Sequence, residues 1–298
     1  MPTVSVARIP DPQEPVPAVA WPAVALFVAG VALWVGPAAL ALAGAVPLWV
    51  APLPQAVGSY LLFTVAHDAG HRSVSAHEAV NVWLGRIAIF LFAPQAGFRT
   101  WRFIHMQHHR FTNHDDGRDP DHYTHRGPRW QMPLRWLTID LYYIVWYVPH
   151  LPRRPRGEKA ELAVAWTLLI ALVAAAPATG HAVELLVLYL LPMRLAVAWL
   201  GFAFDYLPHH GLHLTPTEDR FKTTRNRVGL ERLLSPLMLY QNYHLVHHLH
   251  PLIPFHRYLA VWRRNEARYL EGGPVLSDPR GRPLTVEEYR RLREPADA

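Results

Sequence analysis

The sequence predicts an all-α integral membrane protein, with four spanning helices in two hairpins carrying a helical cytosolic cap that gathers histidines. Three observations predict it. Hydrophobic residues make up 51% of the 298 positions and charged residues only 17%, a balance that suits a bilayer better than water. Four apolar runs come near the ~20 residues needed to cross a membrane: Trp21 to about Ala43, about Val46 to Ala66, Ala160 to Ala176, and Ala182 to about Phe204. Outside those runs stand three histidine boxes: His67-Asp68-Ala69-Gly70-His71, His105-Met106-Gln107-His108-His109 and His244-Leu245-Val246-His247-His248.

Residues Met1 to Ala20 carry five prolines and little periodicity, which predicts a disordered or surface-lying arm. The first apolar run exceeds the h-region of a signal peptide. Although Ala-Leu-Ala-Gly-Ala ending at Ala45 mimics a cleavage site, a spanning helix is the preferred reading. The second run, with Pro52 and Pro54 as candidate kinks, leads directly into His67. Two spans make a hairpin, so the arm and the first box share one side of the bilayer. Val80 to Phe98 is apolar but broken by Arg86 and by Pro94-Gln95-Ala96-Gly97. A re-entrant or interfacial helix there keeps His105 on the side of His67.

From Arg99 to Lys159 the chain is Arg-rich, with aromatic residues at Trp130, Trp136, Tyr142, Tyr143, Trp146 and Tyr147 that suit a membrane–water interface. The positive-inside rule puts this segment, and with it every box, on the cytoplasmic side, as in a bacterial inner membrane. The second hairpin returns the chain to that side at Asp205. The main domain then covers residues 21–260, and residues 261–298 form a charged cytosolic tail in which Thr285 to Glu288 reads as a capping box.

In a helix, positions 0 and 4 share a face and position 3 sits beside position 4. The short box therefore aims two imidazoles one way and each long box three, eight in all. That is too many for one metal ion and about right for two. His209, in Asp205-Tyr206-Leu207-Pro208-His209, is a ninth candidate where the last span ends. Asp205 would hold a metal-bound water if that turn stays helical, although Pro208 points to the helix ending there. Ligating imidazoles need their other nitrogen oriented, and Asp68, Asp116, Asp119, Asp121 and Asn242 are the acids and amides within reach. Arg194, inside the last apolar run, reads as snorkelling or pairing with Glu184. The histidines without repeated spacing, His125 and His256 among them, read as surface or interfacial residues.

Several functions are excluded or weakened. There is no cysteine, hence no disulfide, Cys-zinc module or Cys-ligated iron–sulfur cluster within the chain. The net charge of +6 is dispersed over arginines flanking the apolar runs, not drawn into a nucleic-acid-binding stripe. HExxH is absent. A transporter would place its ionisable groups between spans near the midplane, whereas these lie past the span ends; a His-rich metal-binding or transport protein is thus the alternative of another class. Imidazole alone does not name the metal, but nitrogen-only ligation of two ions points to a redox centre with positions open to dioxygen.

With these boxes around two hairpins, the chain resembles the membrane fatty acid desaturase/hydroxylase superfamily over roughly residues 55 to 260. Within it, the chain looks most like the cyanobacterial-type β-carotene hydroxylases. That likeness rests on His67 to Arg72, His105 to His109 with Asn113 and Asp119-Pro120-Asp121-His122, Phe204 to His209, and Gln241-Asn242-Tyr243-His244 through Pro251. One departure is His210-Gly211, where that branch commonly carries Arg-Pro. The resemblance implies two iron ions held by the histidines, dioxygen as cosubstrate, and attack on an unactivated C–H bond. The expected substrate is lipophilic, the β-rings of β-carotene first and an acyl lipid as the alternative. The expected product is an alcohol or, for a desaturase, an alkene. No His-Pro-Gly-Gly haem segment is present, so electrons are expected from a separate donor such as a ferredoxin.

Overall fold

The computed structural model describes residues 8–293; the first seven residues of the arm and the last five of the tail lie outside it. Its four long apolar helices are α1 (Trp21–Leu42), α2 (Pro52–Gly70), and, after three shorter ones, α6 (Arg156–Ala178) and α7 (Ala182–His209). The intervening helices are α3 (Glu78–Phe92), α4 (Phe98–Phe111) and α5 (Met132–Tyr147). After α7 come α8 (Glu231–Leu237), α9 (His244–Leu249), α10 (Tyr258–Arg264), α11 (Glu266–Glu271) and α12 (Val286–Arg293).

The spans divide into an inner and an outer pair. More than half of α2's apolar window is buried, whereas α1 and α6 leave nearly all of theirs facing outward, as expected of helices whose solvent is lipid. Between α1 and α2 the backbones nearly touch. A Cβ on Gly58 would stand 2.8 Å from the Gly30 carbonyl oxygen and 2.9 Å from the Trp34 nitrogen. Small residues permit such approach where lipid offers no hydrophobic drive to association.

Helix α3 is too short to span and leaves Trp83, Ile87 and Phe90 exposed, in keeping with an interfacial element. A 3-10 turn over Pro94–Ala96 then reverses the chain, with Gly97 at φ 59°, a conformation open to glycine. Helix α4 starts there, beside the end of α2. The last span runs further than its hydropathy: it stays helical through His209, with π-helical turns at Leu186–Leu190 and Gly201–Tyr206. Pro208 is tolerated because it stands in the first turn of the closing α-helical segment. Gly201 lets α5 cross closely, since a Cβ there would meet Trp136 Cα at 2.8 Å.

The cap adds a set of buried aromatics to the core it shares with α1, α2 and α3. Trp262 stacks on Tyr269 with ring centroids 5.0 Å apart, and its indole nitrogen donates to the Tyr289 hydroxyl at 2.8 Å. Strand β1 (Arg225–Arg227) pairs parallel with β2 (Val275–Ser277), which pairs antiparallel with β3 (Pro283–Leu284). The boundary drawn at residue 260 therefore falls inside α10, and residues 261–293 pack onto the cap rather than trailing from it. Their charges face outward while Trp262, Tyr269, Leu276 and Tyr289 are buried, so a count of charge alone hides a core. The capping box closes reciprocally: the Glu288 amide donates to Thr285 Oγ1 and the Thr285 amide to Glu288 Oε2. The described part of the arm lies along this cap, with Glu14 accepting from Arg257 and Arg264.

Candidate metal centre

Four elements converge on one buried volume. His67 sits in the last turn of α2 and His71 caps it; α4 carries His105, His108 and His109; α7 ends on His209; α9 carries His244, His247 and His248. The nitrogens fall into two groups, each with its members within 4.8 Å of one another: His67, His71, His105, His109 and His247 in one, and His108, His209, His244 and His248 in the other. These are the nine positions singled out from the sequence, five and four.

The chemistry of this donor set fits two metal ions. Around one ion, metal–imidazole bonds of ~2.0–2.1 Å put neighbouring nitrogens about 3 Å apart. In the first group, Nε2 of His247 lies 3.0 Å from Nε2 of His67 and 2.9 Å from that of His109, while His71 and His105 approach to 2.8 Å. In the second, His244 and His248 approach to 3.1 Å through Nε2. Neither ring nitrogen of the fully buried His209 has a hydrogen-bond partner, an omission a folded protein tolerates when something else satisfies the atom.

Burial, and then the neighbouring imidazoles, hold His71, His105, His109, His247 and His248 well below the ordinary histidine range; burial and then His108 and His67 do the same for His244. Neutral imidazole is the form that ligates. His108 differs. Burial pulls it down, but Asp121 and Asp119 beside it outweigh that and carry it up to about 9.

The outward-facing nitrogens are anchored. His108 Nδ1 donates to Asp119 Oδ1 at 2.9 Å, His244 Nδ1 lies 2.8 Å from Gln241 Oε1, and His247 Nδ1 lies 2.9 Å from the Tyr258 hydroxyl. Asp121 takes a 2.6 Å bond from Tyr143 and stands 3.4 Å from His108. Asp68 is 3.5 Å from His67 Nδ1 and accepts from the Phe255 amide. Two expected acids and amides are not brought to the boxes. Asp116 is exposed and bonds Arg118, as an Asp in a polar turn will, and Asn242 donates to the Arg227 carbonyl and Ser235 Oγ, fixing the loop before α9. Gln241 and Tyr258 were missed. Gln241 stands only three residues before His244, a nearness that could have found it; nothing local marks Tyr258. His125, expected at the surface, is buried with neither ring nitrogen partnered, its ring 5.8 Å from that of His209.

Against the histidines lies an apolar cavity of about 50 Å³, walled by Phe63, Phe92, Trp101, Val197 and Phe204, with His105, His108, His244, Asp205 and Asp140 also in its lining. Asp205 thus faces this cavity from the π-helical turn. Among the described residues its lining contains no Lys or Arg.

The sequence model of the fatty acid desaturase family matches residues 53–279. A beta-carotene ketolase from a Paracoccus species is 31% identical over 201 residues, 66% of this chain and 71% of that protein. A chloroplastic sn-2 acyl-lipid omega-3 desaturase (ferredoxin) from Arabidopsis thaliana is 29% identical over 238 residues, 68% of this chain and 51% of its own length. An sn-1 oleoyl-lipid 12-desaturase from Arthrospira platensis is 26% identical over 239 residues, covering 70% and 66%; the chain thus spans about half of the plant enzyme and two thirds of the cyanobacterial one. With this match across most of the chain, and with four apolar helices under a histidine-lined cap, the chain is an integral membrane oxidoreductase and belongs to the fatty acid desaturase family.

Proposed function

We propose that the nine histidines ligate two iron ions and that the enzyme uses dioxygen and two electrons to hydroxylate a β-ring of a carotenoid. The balance is one C–H bond and one O2, with two electrons and two protons, giving an alcohol and water. The irons would supply dioxygen reduction and removal of hydrogen from an unactivated carbon. The chain supplies the rest. It buries the ligand nitrogens, excludes water, and orients the reacting carbon against His105, His108 and His244.

The observation that carries the substrate reading is the cavity itself. Its walls are aromatic and aliphatic side chains, and its polar groups are imidazoles, carboxylates and the Tyr143 phenol, with no Lys or Arg among them to hold an acidic headgroup. A wholly apolar ring fits such a lining, and a relative named for beta-carotene supports it. Acyl-lipid desaturation is the second reading, favoured by the desaturase relatives and by a cavity narrow enough for a polymethylene chain. Electrons would come from a separate small carrier, a ferredoxin or similar. We place the histidines on the cytoplasmic side of a bacterial inner membrane, because the arginine-rich segments flank them.

Expression in a bacterium that makes β-carotene, with a ferredoxin system, tests the reading. Hydroxylated pigments support it, and two irons per purified chain support the centre. Unchanged pigment beside new unsaturated acyl chains would transfer the enzyme to the second reading. Zinc without iron would remove the oxygenase.

A further inference from the structure

Asp140 is part of the lining of the cavity beside the histidines. The same carboxylate borders a second hollow of about 290 Å³ that opens between α5, α6 and α7, walled by Leu141, Trp166, Leu169, Val173 and Leu190. Across the boundary lies a charged cluster. Asp140 accepts from Gln95 Nε2 at 2.7 Å and from both terminal nitrogens of Arg194, one at 2.9 Å, and Arg194 also donates to the Leu137 carbonyl at 2.8 Å. Arg194 thus pairs with Asp140, not with Glu184, which lies near His181.

We propose that this seam is the lateral entry by which an apolar substrate passes from the bilayer to the metal centre, and that Arg194, Asp140 and Gln95 form its gate. The inference rests on the reading above in taking the substrate to be lipid-soluble. Asp140 is the one residue that lines both the inner cavity and the outer hollow, and it is the residue Arg194 pairs with. Stability gives little reason for the pair, because well-packed apolar side chains in its place would hold the helices as well or better. Ionisable groups inside a membrane otherwise mark pathways. Arg194 is on the outer side and partly exposed, with its side chain at 24% against 9% for Asp140. Its long stem lets the guanidinium swing toward the interface and keep its solvation, which opens the passage without removing Asp140 from Gln95.

The absence of cysteine makes the gate testable without turnover. Val197, buried in the inner cavity, and Leu188, equally buried in the same span but away from it, are each replaced singly by Cys in the full chain in lipid nanodiscs. Their labelling by an apolar maleimide is followed by mass. Neutralising the pair with Asp140→Asn and Arg194→Gln should speed labelling of Val197→Cys several-fold and leave Leu188→Cys unchanged. An unchanged rate at Val197, or a rise at both positions alike, would reduce the pair to a structural tie and overturn the gate. If the double variant does not insert, Gln95→Ala is read the same way. Adding β-carotene or a dioleoyl lipid with the pair intact separates the two inferences: protection of Val197→Cys by the acyl lipid alone upholds the seam and defeats the carotenoid reading, and protection by neither defeats the seam.

Discussion

The two histidine groups are built from the same side chain but set in different surroundings. The five-histidine group has a tyrosine hydroxyl behind His247 and one carboxylate, Asp68, 3.5 Å behind His67. The four-histidine group has Asp119 and Asp121 against His108, with Asp205 nearby on the cavity wall. The first has a single, more distant carboxylate behind it, the second two close ones on one histidine. Carboxylates behind an imidazole raise its basicity and fix its ring, so the second group's grip on its ion depends on a few acids while the first depends on ligand number. Substitutions behind the ligands should therefore act unequally on the two ions.

The largest effect comes from the ligands themselves. His247→Ala and His108→Ala should each abolish turnover and each lower iron by about one ion per chain, while the protein still reaches the membrane, since insertion depends on the four apolar helices. Near-normal activity of both variants would refute the centre. Next comes Asp119→Asn. It removes the charge behind His108 and should weaken iron at the four-histidine group by roughly 10–100-fold, with the other ion retained. Iron analysis after graded chelation would show one ion leaving early; both leaving together would erase the distinction between the groups. Tyr258→Phe should do less. It leaves His247 Nδ1 without its neighbour, a cost of about 1–3 kcal/mol in a buried site, read as a lower thermal midpoint with both irons present. Should Tyr258→Phe release iron as readily as Asp119→Asn, the two surroundings are equivalent after all.

The ligand positions were legible because helix periodicity converts HxxHH and HxxxH into convergent faces without any knowledge of tertiary contact. His209 needed only its place at the end of a span. The supporting groups divide by distance along the chain. Asp119 is eleven residues from His108 and readable as a nearby acid, whereas Tyr258 reaches His247 only because α10 folds back across α9. The Arg194–Asp140 pair joins residues 54 apart, and in sequence Glu184 was the nearer acid. The cap's terminal segment was misjudged because its charges are many and its buried aromatics few and irregularly spaced. Hydropathy also stopped the last span at Phe204, since it cannot see that π-helical backbone carries α7 on to His209.

The smallest effects are expected from two histidines outside the boxes, and they differ for a reason sequence abundance does not supply. His256 is half-buried beside Phe255, and burial lowers its pKa; His256→Ala should leave iron, turnover and stability near those of the parent. His125 is buried against His209, with burial holding it down to about 3 and neither nitrogen partnered. It adds no member to either group of converging nitrogens, so His125→Ala should keep both irons. It removes packing from behind His209, though, and a buried deletion of that size costs on the order of 2 kcal/mol. Thermal unfolding of iron-loaded protein should thus separate the two variants, His125→Ala falling by several degrees and His256→Ala hardly moving. Loss of an iron from His125→Ala would instead make it a further ligand of the four-histidine group, and the two groups would then be equal in number.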